Sequence, residues 1–259
     1  MNTCAVRVVL AAGALAAAAV SVRADIIADN GAGSANLPPV GLTYSTVPSV
    51  GNPSGDMAIV DGLPVGTTIQ INSSLHTFTY NMATPPAVMS FPPNATGRQP
   101  GGSLGGEQAA SNAILQMPMI GTGALLGFNR NIPMTIGHEI HLAPRTPFTT
   151  PQAFNTDLFR LFGQVTSDPD FDLLRVVAGT DFGLPSPGFS QLTQAGPAWD
   201  LYSYYDMTYR IDFVGNPAGV LAGRSGSTTG VVRLYIVPAP GAAGLLACAG
   251  VIAGRRRRR

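Results

Sequence analysis

Few residues in this chain have types and spacings able to do chemistry. His138-Glu139-Ile140-His141 brings two imidazoles and a carboxylate together, the ingredients of a zinc site. A zinc-gripping helix places its histidines at i and i+4 on one face. Here the spacing is i, i+3 inside an alternating, strand-like run, which points the two rings to opposite faces. One metal needing three or four convergent ligands is therefore not expected there. Gly101-Gly102-Ser103-Leu104-Gly105 has the spacing of a nucleophile elbow. That pattern activates a serine between a buried strand and a helix, with an acid and then a histidine downstream. The preceding Pro92–Pro100 stretch is not strand-like, and both following histidines come before every later aspartate. A flexible glycine loop is the expectation.

Asp168-Pro169-Asp170-Phe171-Asp172 is the one acidic cluster. Asp168, Asp170 and Asp172 offer hard oxygen ligands to calcium, although Leu173 and Gly179 stand where an EF-hand loop has its glycine and its bidentate glutamate. Ser167-Asp168-Pro169-Asp170 equally reads as a type I turn between two strands. Trp199, Tyr202, Tyr204 and Tyr205 crowd one segment, and exposed rings there would stack sugars. The same rings also suit a core. The Gly179–Gly188 segment reads as a site loop or a crossover. A polysaccharide hydrolase would need a carboxylate pair about 5–10 Å apart, such as Glu139 with Asp206 or Asp212.

The elements that would position these residues read as strands. Met207, Tyr209, Ile211 and Phe213 alternate with Asp206, Thr208, Arg210 and Asp212, a period of two with one face buried. Ile132 to Leu142 and Val231 to Ile236 alternate similarly. Shorter runs at 57–60, 67–71, 75–80, 159–166 and 171–178 are bounded by turn formers. Many short strands with Gly/Pro punctuation predict an all-β body, a single antiparallel β-sandwich of jelly-roll-like form with long Gly/Pro-rich loops. Two segments compete for a helix, of which at most one is expected to form. Thr150-Pro151 with Phe154, Leu158 and Leu161 has helical spacing, and Gly106 to Met117 is alanine-rich. The Pro- and Gly-rich segment 81–106 reads as a long loop or flap.

Both ends read as addresses. Met1 to Ala24 has an early Arg7, an apolar middle and the small-residue ending Val22-Arg23-Ala24, the layout of a signal peptide cut by signal peptidase between Ala24 and Asp25. The other end carries Val237-Pro238-Ala239-Pro240, fourteen apolar residues from Gly241 to Gly254, and five arginines, Arg255 to Arg259. At ~1.5 Å per residue the apolar segment spans about 21 Å, short of the ~30 Å hydrocarbon core, so a short hydrophobic helix would hold the membrane only transiently. Terminal arginines stay cytoplasmic and leave the body on the far side. This motif, apolar stretch and arginine run resemble the PEP-CTERM class of sorting signals, with Ala239 in place of the acidic residue. The resemblance implies an exosortase-type processing enzyme, removal of the tail near Val237–Pro240 and delivery to the cell surface or extracellular matrix. The body also resembles secreted proteins carrying such tails in planctomycete-like bacteria, through Ala28–Gly31, Asp61–Pro64, Gly101–Gly106, Asp168–Asp172 and Tyr209–Phe213. No activity follows from that second resemblance.

The domain plan is thus a signal peptide at 1–24, a β-body at 25–236 and a sorting signal at 237–259. Of 259 residues only 11% are charged, which excludes a coiled coil. Cys4 and Cys248 fall in the two addresses, leaving the body without disulfides. Trimming both ends leaves eight arginines against fourteen acids, a net charge of −6. That balance disfavours nucleic acid and suits a soluble exported protein. The preferred function is a cell-surface or extracellular-matrix protein, structural or weakly binding polysaccharide rather than catalytic. A secreted polysaccharide hydrolase is the alternative. No cofactor is implied beyond calcium.

Overall fold

The alternation centred on Asp206 to Val214 is the middle of a far longer strand. The computed structural model describes residues 25–46, 57–80 and 98–237 and extends that strand over eighteen residues, Ala198–Gly215. Trp199, Leu201, Ser203, Tyr205, Met207, Tyr209, Ile211 and Phe213 face inward and are buried. Asp200, Tyr202, Tyr204, Asp206, Thr208, Arg210 and Asp212 face outward and are partly exposed. The sequence pattern and the pleat share a period of two, so one face goes to the core along the entire length.

In chain order the strands are β1 (Asp25–Ala28), β2 (Thr43–Thr46), β3 (Met57–Ile59), β4 (Ile69–Ile71), β5 (Ser74–Tyr80), β6 (Arg98–Pro100), β7 (Glu107–Gly121), β8 (Asn129–Leu142), β9 (Gln152–Thr166), β10 (Phe171–Ala178), β11 (Pro187–Ala195), β12 (Ala198–Gly215) and β13 (Ser225–Val237). All pairings are antiparallel, and they join into one large sheet. The ladder runs from β7 to β8 to β9, then through β10 and β11, which lie end to end between β9 and β12. It continues from β12 to β13, β2, β5 and back to β7, so the pairings form a closed circuit. Closure leaves the circuit without a free edge. A single buried cluster inside it reaches from Ile27 to Ile236.

Three polar side chains of the inner face bond to one another, which offsets the cost of their burial. Tyr44 donates to Ser203 Oγ at 3.1 Å, and Ser203 Oγ lies 2.9 Å from Ser190 Oγ. Burial pushes the Tyr44 phenol up to about 12.

The all-β expectation matches the structure, whereas neither helix candidate is helical. Gly106 to Met117 falls largely in β7, whose Ala113, Leu115, Met117 and Met119 pack inward. Pairing with β8 from Glu107 to Ile120 overrides the helix preference of alanine. Phe154, Leu158 and Leu161 belong to β9. Their helical spacing comes from a bulge: Ile140 pairs with Leu158 but Glu139 with Arg160, so Phe159 is the extra residue and inward parity changes beyond it. The 179–188 segment is divided between a short 3₁₀ turn at Thr180–Phe182 and the start of β11.

Met1 to Ala24, the 81–97 part of the Pro/Gly-rich segment, and Pro238, Ala239 and Pro240 with the tail beyond lie outside the described residues. Asp25 opens β1 and Val237 closes β13. Among the described residues no helix is long and apolar enough to cross a membrane.

Candidate functional site

On the outer face of the sheet, neighbouring strands place aromatic rings side by side. Phe189 of β11 is opposite Tyr204 of β12, and Tyr204 is opposite Tyr235 of β13. Ring centroids stand 6.2 Å apart from Phe189 to Tyr204 and 6.0 Å from Tyr204 to Tyr235. Tyr202, two residues back on β12, lies 6.0 Å from Tyr204 and 6.5 Å from Phe189. All four rings are partly exposed. The Arg233 guanidinium lies 4.3 Å from the Tyr204 ring centre. Arg233 also donates through Nε and Nη2 to the two oxygens of Asp206, each at 2.5 Å. The result is a strip of rings bordered by a fork of donors and a carboxylate, apolar in the middle and polar at one side.

Of the four rings considered for sugar stacking, Tyr202 and Tyr204 are in this strip, and Trp199 and Tyr205, both buried, are not. Trp199 is 3% exposed and its indole N–H donates to Asp29 Oδ2 at 2.8 Å. This bond, with the Gly31 N–H, holds the Asp29 carboxyl below its usual range. Odd positions of β12 point inward, so Trp199 belongs to the face opposite its even-numbered neighbours. Phe189 lies one residue beyond the Gly179–Gly188 segment, where the sequence pattern assigns no element, whereas Tyr235 already stood on the wet side of an alternating run.

The acidic cluster forms the β9–β10 turn. Asp168 N–H donates to Phe171 O at 2.8 Å, and Asp168 Oδ1 accepts from Asp170 N–H at 2.9 Å. The cation beside these carboxylates is an arginine: Arg130 donates to Asp168 Oδ2 at 2.9 Å and also to Asp170 Oδ2. Asp172 is exposed and makes no part of this arrangement. A calcium ion at Asp168, Asp170 and Asp172 would have to displace a guanidinium already bonded to two of them. Millimolar Ca²⁺ is therefore expected to leave the melting temperature unchanged, while Arg130→Gln lowers stability by about 1–2 kcal/mol by leaving two crowded carboxylates unpaired. Thermal melts of both proteins with and without Ca²⁺ check this, and a Ca²⁺-specific rise in the natural chain would restore the metal reading.

A second constellation lies where the glycine loop folds over β8. The alternation of β8 sends His138 inward and His141 outward, so the two imidazoles occupy opposite faces. Outward His141 is nonetheless 3% exposed, because the 101–106 loop covers it and Phe159 stacks on it at 4.0 Å. Gly102 permits that cover. Its φ is +79°, and a Cβ there would come within 2.9 Å of the imidazole. Ser103 Oγ stands 2.8 Å from His141 Nδ1, and His141 Nε2 stands 3.1 Å from Glu139 Oε1. The Ser103 N–H also donates to Nδ1, at 2.9 Å. That bond makes Nδ1 the lone-pair nitrogen and puts the ring proton on Nε2, facing Glu139. Asp157, opposite His141 on β9, accepts from Thr180 at 2.9 Å and from Ser103 Oγ at 3.5 Å. The aspartates alone argue against Ser103 by chain order, but the carboxylate in line with Ser103 and His141 is Glu139, which precedes the histidine.

The other carboxylate pairing does not form. Glu139 is on β8 and Asp206 and Asp212 on β12, with β9 and the β10/β11 position between them. Three strand spacings amount to roughly 14 Å, beyond the reach of a carboxylate pair. Asp206 is held by Arg233, and Asp212 by Arg175, Arg210 and Ser227. Among the described residues no group of three or more His, Cys, Asp or Glu side chains is placed to hold a metal ion. No family model, curated protein or solved structure matches the chain.

Proposed function

We propose that this chain is an exported cell-surface or extracellular-matrix protein whose β-body binds polysaccharide. The observation that carries the reading is the outer-face strip of Phe189, Tyr202, Tyr204 and Tyr235 beside the Arg233–Asp206 pair. Sugar rings offer apolar C–H faces to aromatic planes and hydroxyls to a guanidinium and a carboxylate. The planes are tilted by 35° between Phe189 and Tyr204 and by 47° between Tyr204 and Tyr235. Tilted rings follow a single twisted glycan chain better than a flat crystalline surface.

The rest of the proposal supports delivery. The body is a jelly-roll-like sandwich, preceded by a signal peptide for signal peptidase. Its PEP-CTERM-like tail is read by an exosortase-type enzyme after transient membrane contact. A net charge of −6 on the trimmed body suits an acidic soluble protein with no nucleic-acid partner.

Affinity electrophoresis through gels cast with soluble glycans tests the binding surface. The natural chain is expected to be retarded by at least one glycan, and Tyr204→Ala to weaken that retention about three- to tenfold, the worth of one aromatic contact. Retention by no glycan, or equal retention of Tyr204→Ala, would remove polysaccharide binding from the proposal.

A further inference from the structure

The Ser103–His141–Glu139 line is independent of the aromatic strip and has the arrangement of an activated nucleophile. We propose that Ser103 is an acylable nucleophile acting on small carboxylic esters of polar alcohols, with His141 as its base and Glu139 as the positioning residue. Ser103 is exposed, so a substrate has access to Oγ, while the base behind it is shielded. The hydroxyl faces a nitrogen whose lone pair is assigned by a separate bond, from the Ser103 N–H. Glu139, 8% exposed, accepts the opposite ring proton and would stabilise an imidazolium as it forms. Relative to the familiar Ser-His-Asp arrangement the imidazole is turned end for end, with Nδ1 towards the hydroxyl.

A further group suits the developing oxyanion. The N–H of Leu104, the residue after the nucleophile, makes no hydrogen bond among the described residues. Acyl-transfer serines commonly use the amide at that position for the oxyanion. The acyl group would be short, because Gly101, Gly102, Gly105 and Gly106 bring no side chain to the loop that could grip a long one. The neighbouring shallow cleft, with Asn30, Ser34 and Arg145 among its lining residues, favours a polar alcohol portion.

The reaction balances with water as the only co-reactant. Ser103 Oγ attacks the ester carbonyl carbon, and the hydroxyl proton passes to His141 Nδ1. The acyl C–O bond to the alcohol breaks, and the Nδ1 proton goes to the departing alkoxide. Water then attacks acyl-Ser103, giving its proton to Nδ1, and Ser103 leaves with that proton as the carboxylic acid is released.

The experiment treats the folded natural chain with a fluorophosphonate, maps the adduct by mass spectrometry, and measures p-nitrophenyl acetate hydrolysis. The expected adduct is on Ser103, with hydrolysis at least 100-fold lower in Ser103→Ala, an exposed position that should leave the melting temperature nearly unchanged. Glu139→Gln should retain labelling at a reduced rate and shift its pH profile, which a merely structural carboxylate would not do. No adduct on Ser103 in the folded natural chain, or unchanged hydrolysis by a folded Ser103→Ala protein, would overturn the proposal.

Discussion

Phe213→Ala is expected to lower the free energy of unfolding by about 3–5 kcal/mol, the usual cost of emptying a fully buried aromatic position. Phe213 is 1% exposed, on the inner face of β12 opposite Leu174 of β10. Its ring meets Phe171 edge-on at 6.2 Å, and Phe171 meets Phe128 edge-on at 6.4 Å. Alanine would remove both the transferred area and the first of those edge contacts, in a core braced by hydrogen-bonded strands. For a body of this size about 4 kcal/mol corresponds to a drop in Tm of roughly 8–16 °C. Val214→Ala, one residue along and 40% exposed on the opposite face, should stay within about 0.5 kcal/mol. Urea or thermal melts of both variants check the pair. A Phe213→Ala protein melting with the natural one would contradict the inward assignment of the entire odd-numbered face.

Acid should weaken the fold through a single buried imidazole. His138 is 2% exposed on the inner face of β8, 3.1 Å from Ser111 Oγ, and burial lowers its pKa to about 3. In the unfolded chain the same imidazole takes its proton near 6.5. Between these values the unfolded state binds a proton that the folded state refuses, so stability falls as pH is lowered through 6.5 and onward to about 3. Above 6.5 this contribution is fully present. From pH 7 to pH 4.5 the loss is about 2–3 kcal/mol. Asp29 acts in a lower range, because its lowered carboxyl loses stabilising bonds only as pH falls through about 4 and below. His138→Gln keeps a polar group facing Ser111 and removes the titration. Urea melts across pH 4.5 to 7 should show its slope flattened by up to about 1.4 kcal/mol per pH unit. An unchanged slope would assign the acid sensitivity elsewhere.

Strand identity was legible wherever inward and outward residues differ in kind. Asp206 to Val214 and Ile132 to Leu142 are such runs, and both lie within long strands. Counting back by twos from Met207 also reaches Trp199, and from Asp206 reaches Tyr204 and Tyr202. The separation of the indole from the two phenols was thus present in the parity of one strand. The β9 bulge hid itself, because one extra residue converts a two-residue period into a helical one. Cross-strand register was out of reach of a single sequence, so Phe189, Tyr204 and Tyr235 could not be aligned into a strip. Ser103 and His141 are 38 positions apart. Their meeting depends on a loop folding back over its own sheet, which no local pattern encodes. Ser103, Glu139 and His141 do run in the order serine, acid, histidine, and counting aspartates alone concealed the glutamate that fills the acid position.

The closed circuit of strands also has a seam. The last pair between β13 and β12 is Tyr235 with Tyr204, and β1 begins three positions further along β12, with Asp25 opposite Leu201. Both strands are antiparallel to β12, so β1 takes up the line that β13 leaves. The body therefore receives and releases its chain at one place, as a ring with a single clasp. That clasp adjoins Tyr202 and Tyr204. With glycan bound as proposed, a pull on either end of the body would load the same few residues of β12 as the ligand does, without crossing the core.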